Sequence, residues 1–187
     1  VEDEAKIQKL FVRILNDQGC DVSGVDSYGA ALQAMEETRF DLVISDIMLG
    51  SKTGLDLLKV SHDRGYDAYI IMVTGFPTLE SAQEAIRYGA FDFLTKPVLK
   101  DALLRVVEAA LKHKALRDEK EQLRTNLEAI FRSVDDAIIT VDEKFRLLEV
   151  NESAGRLCGT YPADVSKLFS TSKKHCQGTC LEVLNQS

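Results

Sequence analysis

Cysteine is scarce in this sequence, with four in 187 residues, at Cys20, Cys158, Cys176 and Cys180. So few, spaced so unevenly, do not make a disulfide framework. Long apolar runs are missing too: none approaches the roughly 18 residues that a bilayer-spanning helix requires. No secretory leader opens the chain, so a cytoplasmic location without membrane contact is expected. Positive charge is the third shortage. Lysine and arginine number 23 against 30 aspartates and glutamates, a formal net charge of -7, whereas nucleic acids and anionic lipids reward clustered cations. No nucleic-acid contact is expected within the chain. Proline and glycine disappear between Lys100 and Val134, which leaves nothing there to interrupt a helix. No G-x-G-x-x-G follows the first strand, which argues against a dinucleotide-binding domain, and neither a P-loop, a transmitter histidine motif nor a helix-turn-helix occurs before Ser187.

What is present suits one ordinary domain and part of another, with 28% charged and 45% hydrophobic residues. Val1 is followed at once by acidic residues, as though an apolar strand preceded it, so the first strand is expected to be truncated. The residues Ile7, Leu10, Phe11, Ile14 and Leu15 recur at helical spacing. Strand and helix patterns then alternate. "CDVSGV", "FDLVIS", "AYIIMVTG" and "FDFLTKP" read as strands, and "YGAALQAMEETR", "GLDLLKVSHDRG" and "TLESAQEAIRYGA" as the helices between them. Short connections in such an alternation imply a parallel sheet with helices on both faces. The nearly unbroken apolar character of "DLVIS" and "YIIMV" suits central strands covered on both sides.

In open sheets of this kind, chemistry collects where the strands end. Asp46 ends one strand, Glu2 and Asp3 follow the truncated first one, Thr74 ends a third and Lys96 a fourth. Three converging carboxylates repel one another unless a cation joins them, and an all-oxygen donor set selects Mg²⁺. Glu2, Asp3 and Asp46 are the candidate ligands, with the backbone carbonyl of Met48 as a fourth. Beside such an ion Asp46 can attack a phosphoryl group, Lys96 can hold a phosphoryl oxygen as a point charge, and Thr74 offers a hydroxyl to another.

These residues resemble the receiver domain of two-component response regulators. The acidic pair is Glu2 and Asp3, the phosphoacceptor in "VISDIMLG" is Asp46, the hydroxyl residue in "MVTGFP" is Thr74, and the lysine in "LTKP" is Lys96. Phe93, three residues earlier, stands at the family's switch-aromatic position. The resemblance implies a flavodoxin-like, doubly wound, five-stranded parallel α/β sheet and a phosphoryl group supplied by a histidine kinase or phosphotransfer protein. It also implies a switch in which Thr74 moves to the phosphate and Phe93 into the vacated space. Glu2 replaces the commoner aspartate of that pair. Met48 and Phe76, two residues beyond Asp46 and Thr74, occupy positions that tune hydrolysis in this family, and neither can orient a water. Two other readings compete: an Asp-nucleophile phosphatase, which lacks its usual second acid because Met48 stands there, and a scaffold that dimerises without phosphorylation.

The expected boundaries are a receiver core at 1–99, a last receiver helix extended into a linker at 100–134, and an incomplete α+β domain at 135–187. Along the linker Leu116, Leu123, Leu127, Ile130 and Val134 follow a seven-residue pattern, with His113 and Lys120 at seam positions, so a parallel homodimer through the helix is expected. "LEAIFRSVDDAIITVDEKFRLLEVNESAGRLCG" is similar to the opening of a PAS sensory domain. Asp142 and Asn151 read as structural caps there. His175, Cys176 and Cys180, with Cys158 upstream, could bind a metal or iron-sulfur centre, but a lone C-x-x-x-C favours free thiols.

Overall fold

The structure, a computed structural model, describes residues 1–50, 52–143 and 147–158. In chain order the elements are α1 (Ala5–Asn16), α2 (Tyr28–Glu37), β1 (Leu42–Asp46), β2 (Met48–Leu49), β3 (Lys52–Thr53), α3 (Gly54–Arg64), β4 (Tyr69–Thr74), α4 (Leu79–Arg87), β5 (Asp92–Thr95), α5 (Lys100–Ser133), β6 (Ile139–Val141), β7 (Leu147–Val150) and α6 (Glu152–Cys158). Local chemistry sets several of these boundaries. Thr53 and Asp56 form a reciprocal capping box that starts α3, and Thr78 and Ser81 do the same for α4. Gly65 ends α3 at φ +65°, a left-handed turn that a side chain would resist.

β4 is the central strand, paired in parallel with β1 on one side and β5 on the other. Its side chains alternate between two cores. Ile71 and Val73 join Phe11, Ile14 and Leu15 of α1 and Leu103, Val106, Val107 and Ala110 of α5. Ile70 and Met72 face the other way, toward Ala31 and Met35 of α2, Leu57 and Leu58 of α3, and Ala85 of α4. A parallel sheet with α1 and α5 on one face and α2, α3 and α4 on the other is the expected doubly wound α/β arrangement.

The regular sheet has three strands among the described residues, not five. Val1 and Glu2 lie beside β1, with Val1 N donating to Ile44 O at 2.5 Å and Asp46 N donating to Val1 O at 3.0 Å. Glu2 N in turn donates to Val25 O at 3.1 Å, which places the "CDVSGV" segment next outward. The two outer positions are thus filled by extended segments that share too few ladder bonds to form regular strands. The resulting order runs from the Val25 segment through Val1–Glu2 to β1, β4 and β5, and it reverses between Val1–Glu2 and β1.

The chain forms two compact units, Val1–Arg117 and a second beginning at Asp118, so the division falls inside α5. Burial along α5 stops at Lys114, and Leu116, Leu123, Leu127 and Ile130 are 57–60% exposed. In the second unit β6 and β7 pair antiparallel. Asn151, buried, ties this unit together: its Oδ1 accepts from Ile138 N and Ala154 N, each at 2.9 Å, and its Nδ2 donates to Val134 O at 3.2 Å and Asp136 O at 2.8 Å. An amide making four such bonds has no hydrogen-bonding capacity left over for a ligand. No helix among the described residues is long and apolar enough to cross a membrane.

Candidate functional site

Three strand ends and the Val1–Glu2 segment meet at the point where the strand order reverses. Asp46 is the last residue of β1 and Thr74 the last of β4; Lys96 follows β5, held by its backbone N donating to Thr74 O at 2.7 Å. The lysine side chain returns across the sheet edge. Its Nζ donates to Asp46 Oδ2 at 2.5 Å and to Glu2 Oε1 at 2.7 Å. Charge-assisted bonds of this length are the strong kind. The other Asp46 oxygen, Oδ1, accepts from Met48 N at 3.0 Å. Both Asp46 carboxylate oxygens are therefore held in place by hydrogen bonds.

Asp46 and Glu2 are buried, while Asp3 is exposed, and one carboxylate oxygen from each of the three lies within 4.8 Å of the others. Burial pushes the Glu2 carboxyl above its ordinary range, against the pull of Lys96. Burial would also lower the Lys96 ammonium, but its bonds to Asp46 and Glu2 outweigh that and hold it above the usual lysine value. The donor set fits a divalent cation. Three carboxylates face one ammonium, every donor is a hard oxygen, and Glu2 Oε2 is buried with no hydrogen-bond partner.

Thr74 is buried, and its Oγ1 accepts from Phe76 N at 3.1 Å. Phe93 is half-buried on β5 and packs against the core on the α2, α3 and α4 face. Met48 and Phe76, by contrast, are 58% and 83% exposed. The sequence reading missed Gly54. A Cβ there would lie 2.0 Å from Asp46 O, 2.7 Å from Ser45 Oγ and 2.9 Å from Met72 Cε, so only glycine lets α3 start against the strand that carries Asp46. A lone glycine eight residues after Asp46 was the only signal. His175, Cys176 and Cys180 lie outside the described residues.

Residues 1–108 match the response regulator receiver domain family, and residues 125–184 match a PAS domain family. The chain is 31% identical over 157 residues to the DNA-binding transcriptional regulator NtrC of Proteus hauseri, covering 84% of this chain and 32% of that protein. With the nitrogen assimilation regulatory protein NtrX of Azorhizobium caulinodans it shares 34% over 126 residues, which is 66% of this chain and 28% of that one. The chain thus spans about a third of the length of these two relatives. Among solved structures it resembles a CheY-like receiver domain protein from Methanospirillum hungatei, with a TM-score of 0.60, 28% identity, 62% of this chain and 93% of that one. It also resembles NtrX from Brucella abortus crystallised with ADP, with a TM-score of 0.61, 30% identity, 76% of this chain and 31% of that one.

Proposed function

Starting from the premise that this chain belongs to the response regulator receiver domain family, we propose that it is a phosphorelay switch whose phosphoacceptor is Asp46. The observation that carries this reading is the convergence of Lys96 Nζ on Asp46 Oδ2 and Glu2 Oε1, with Asp3 beside them. A partner histidine kinase or phosphotransfer protein supplies a phosphohistidine. An Asp46 carboxylate oxygen forms the new P–O bond as the P–N bond breaks, and the departing imidazole keeps the electron pair and takes up a proton. Lys96 balances the negative charge on the acceptor and on the transferring oxygens. Magnesium, held by Glu2, Asp3, Asp46 and the Met48 carbonyl, would neutralise further charge on those oxygens. Thr74 donates its hydroxyl to the bound phosphoryl group, and Phe93 follows it inward. The packing of α4, β5 and α5 then shifts between two populations.

Incubation of the full chain with acetyl phosphate and Mg²⁺ tests this reading. An adduct of about 80 Da, the mass of one phosphoryl group, is expected on the wild-type protein and not on Asp46→Asn. An adduct that persists in Asp46→Asn would remove Asp46 from its role.

With Met48 and Phe76 in the two hydrolysis-tuning positions, no side chain there aligns a water on the acyl phosphate. Its half-life is expected to be minutes or longer, read by loss of the adduct over time. Decay within seconds would overturn this part of the reading.

The output passes through α5 to the PAS-like segment. The exposed stripe of Leu116, Leu123, Leu127 and Ile130 supports a parallel homodimer along that helix, and in such a register Glu119 of one copy lies opposite Arg124 of the other. Leu127→Glu places a charge in the seam and is expected to weaken self-association at least about tenfold in sedimentation equilibrium. Unchanged association in that variant would exclude this interface.

A further inference from the structure

The last buried turn of α5 is tied to the end of the sheet opposite Asp46 by a group of polar and aromatic side chains. Asp67 sits in the connection between α3 and β4. Its Oδ2 accepts from Lys114 Nζ at 2.8 Å, its other carboxylate oxygen pairs with the Arg117 guanidinium, and its backbone O accepts from Arg117 Nη2 at 3.0 Å. Two residues on, Tyr69 opens β4. The Arg117 guanidinium lies 4.8 Å from the centroid of its ring, and the Tyr69 hydroxyl is 2.8 Å from His113 Nδ1. Phe91 completes the cluster, 5.1 Å from Tyr69 and 6.0 Å from His113 between ring centroids.

Three features separate this group from an ordinary surface ion pair. Lys114 is only 6% exposed, and lysine is seldom buried so deeply without a specific partner. His113, Lys114 and Arg117 are spaced so that they share one face of α5, and holding all three fixes the rotation of the helix about its axis. The group also grips α5 where burial ends, at Lys114, two residues before the exposed stripe begins at Leu116. Its anchor is the amino end of β4, whose carboxyl end is Thr74. Five residue steps, about 17 Å of extended strand, join Tyr69 to Thr74.

We propose that Asp67, with Lys114, Arg117 and the Tyr69–His113 pair, is a coupling clamp that fastens the linker helix to the strand carrying Thr74. It rests on the phosphorelay reading above. When Thr74 is drawn toward a phosphoryl group, a displacement of β4 reaches α5 through this clamp as well as through the apolar core. These are positioning residues, remote from the reacting atoms, so their loss uncouples the helix from the site without touching phosphoryl transfer.

The test uses amide hydrogen exchange of residues 112–120 in the full chain, with and without beryllofluoride and Mg²⁺, in the wild type, Asp67→Ala and Asp67→Glu. Asp67→Ala is expected to gain the acetyl phosphate adduct as fast as the wild type. Its 112–120 segment should exchange about tenfold faster, an opening confined to this turn, and its response to beryllofluoride should be lost; Asp67→Glu should restore both. If circular dichroism shows Asp67→Ala unfolded, Asp67→Asn, which keeps the shape and removes the charge, takes its place. Wild-type exchange and a wild-type response in the charge-free variant would overturn the clamp. Faster exchange with a preserved response would also overturn it, leaving only a structural tie. Failure of the wild type itself to form an adduct would defeat the phosphorelay reading, while the exchange comparison without phosphoryl mimic would still decide whether the clamp holds α5.

Discussion

Lys96→Met is expected to slow acetyl phosphate labelling of Asp46 by about 10²–10³-fold, the usual loss when one preorganised charge-stabilising group is removed from a reaction centre. Lys96 is the shared cation of Asp46 and Glu2, at 2.5 and 2.7 Å. Methionine keeps most of the stem and removes the charge. Asp46 then presents its carboxylate beside Glu2 with nothing positive between them when no divalent ion is bound. Breaking a buried charge pair from one side costs on the order of 3 kcal/mol, and Lys96 is mostly buried, so little solvent screening reduces this. The variant should therefore melt lower in chelating buffer and recover part of the loss on addition of Mg²⁺.

The pH dependence has a definite sign. Glu2 already stands above its ordinary range because it is buried, and Lys96 pulls it back. Without the ammonium the folded-state pKa rises further, while the unfolded value stays near ~4.3. The folded protein then holds the proton more tightly than the unfolded chain, so stability falls as pH rises from about 4.3 through the raised folded-state value. Thermal melts of Lys96→Met in chelator across that window should show the decline more steeply than the wild type. Labelling within about threefold of wild type, or a flat pH profile, would mean that the lysine is a surface charge near the site and not part of it.

Gly54→Ala is the second large effect. The new methyl group would meet a backbone oxygen, Asp46 O, at 2.0 Å, and a backbone atom in a strand bonded to β4 on one side and to Val1 on the other cannot swing aside as a side chain can. Gly54 N also donates to Ile47 O at 2.8 Å, so α3 cannot back away without losing that bond. Overpacking of this sort costs typically 1–3 kcal/mol, and a clash with backbone belongs at the upper end, about 3 kcal/mol. Denaturant unfolding should show that loss. The strand end that moves is the one carrying Asp46, so labelling should fall at least about tenfold even under conditions where the variant is folded. Stability within about 0.5 kcal/mol of wild type, the range of a neutral surface change, would show that the contact relaxes at little cost.

The parts of this molecule written in local pattern were readable from the sequence. Leu42–Asp46 and Tyr69–Thr74 are apolar because both faces of each strand are covered, and the same burial makes a terminal carboxylate or hydroxyl conspicuous. The helix from Lys100 to Ser133 follows from the absence of any breaker. What failed was the regularity of the outer strands. "CDVSGV" has the strand pattern, but with Ser23 and Gly24 inside it and only Val1–Glu2 beside it, there is too little ladder for a regular strand to form. The β2–β3 hairpin, turning at Gly50 with φ +70°, was also missed because two-residue strands leave no periodicity to read. Gly54 and the Asp67–Lys114–Arg117 group were invisible for another reason. Each depends on residues brought together by the fold, 47 positions apart between Asp67 and Lys114, and nothing in either local stretch announces the other.

The apolar side chains of Met48 and Phe76, two residues beyond Asp46 and Thr74, carry a consequence for timing. A mark that its own bearer erases slowly acts as a memory of past stimulation, so the length of the response is governed from outside, by whichever protein removes the mark or takes it back. On this reading the chain records an event, and the clock that ends the record belongs to its partner.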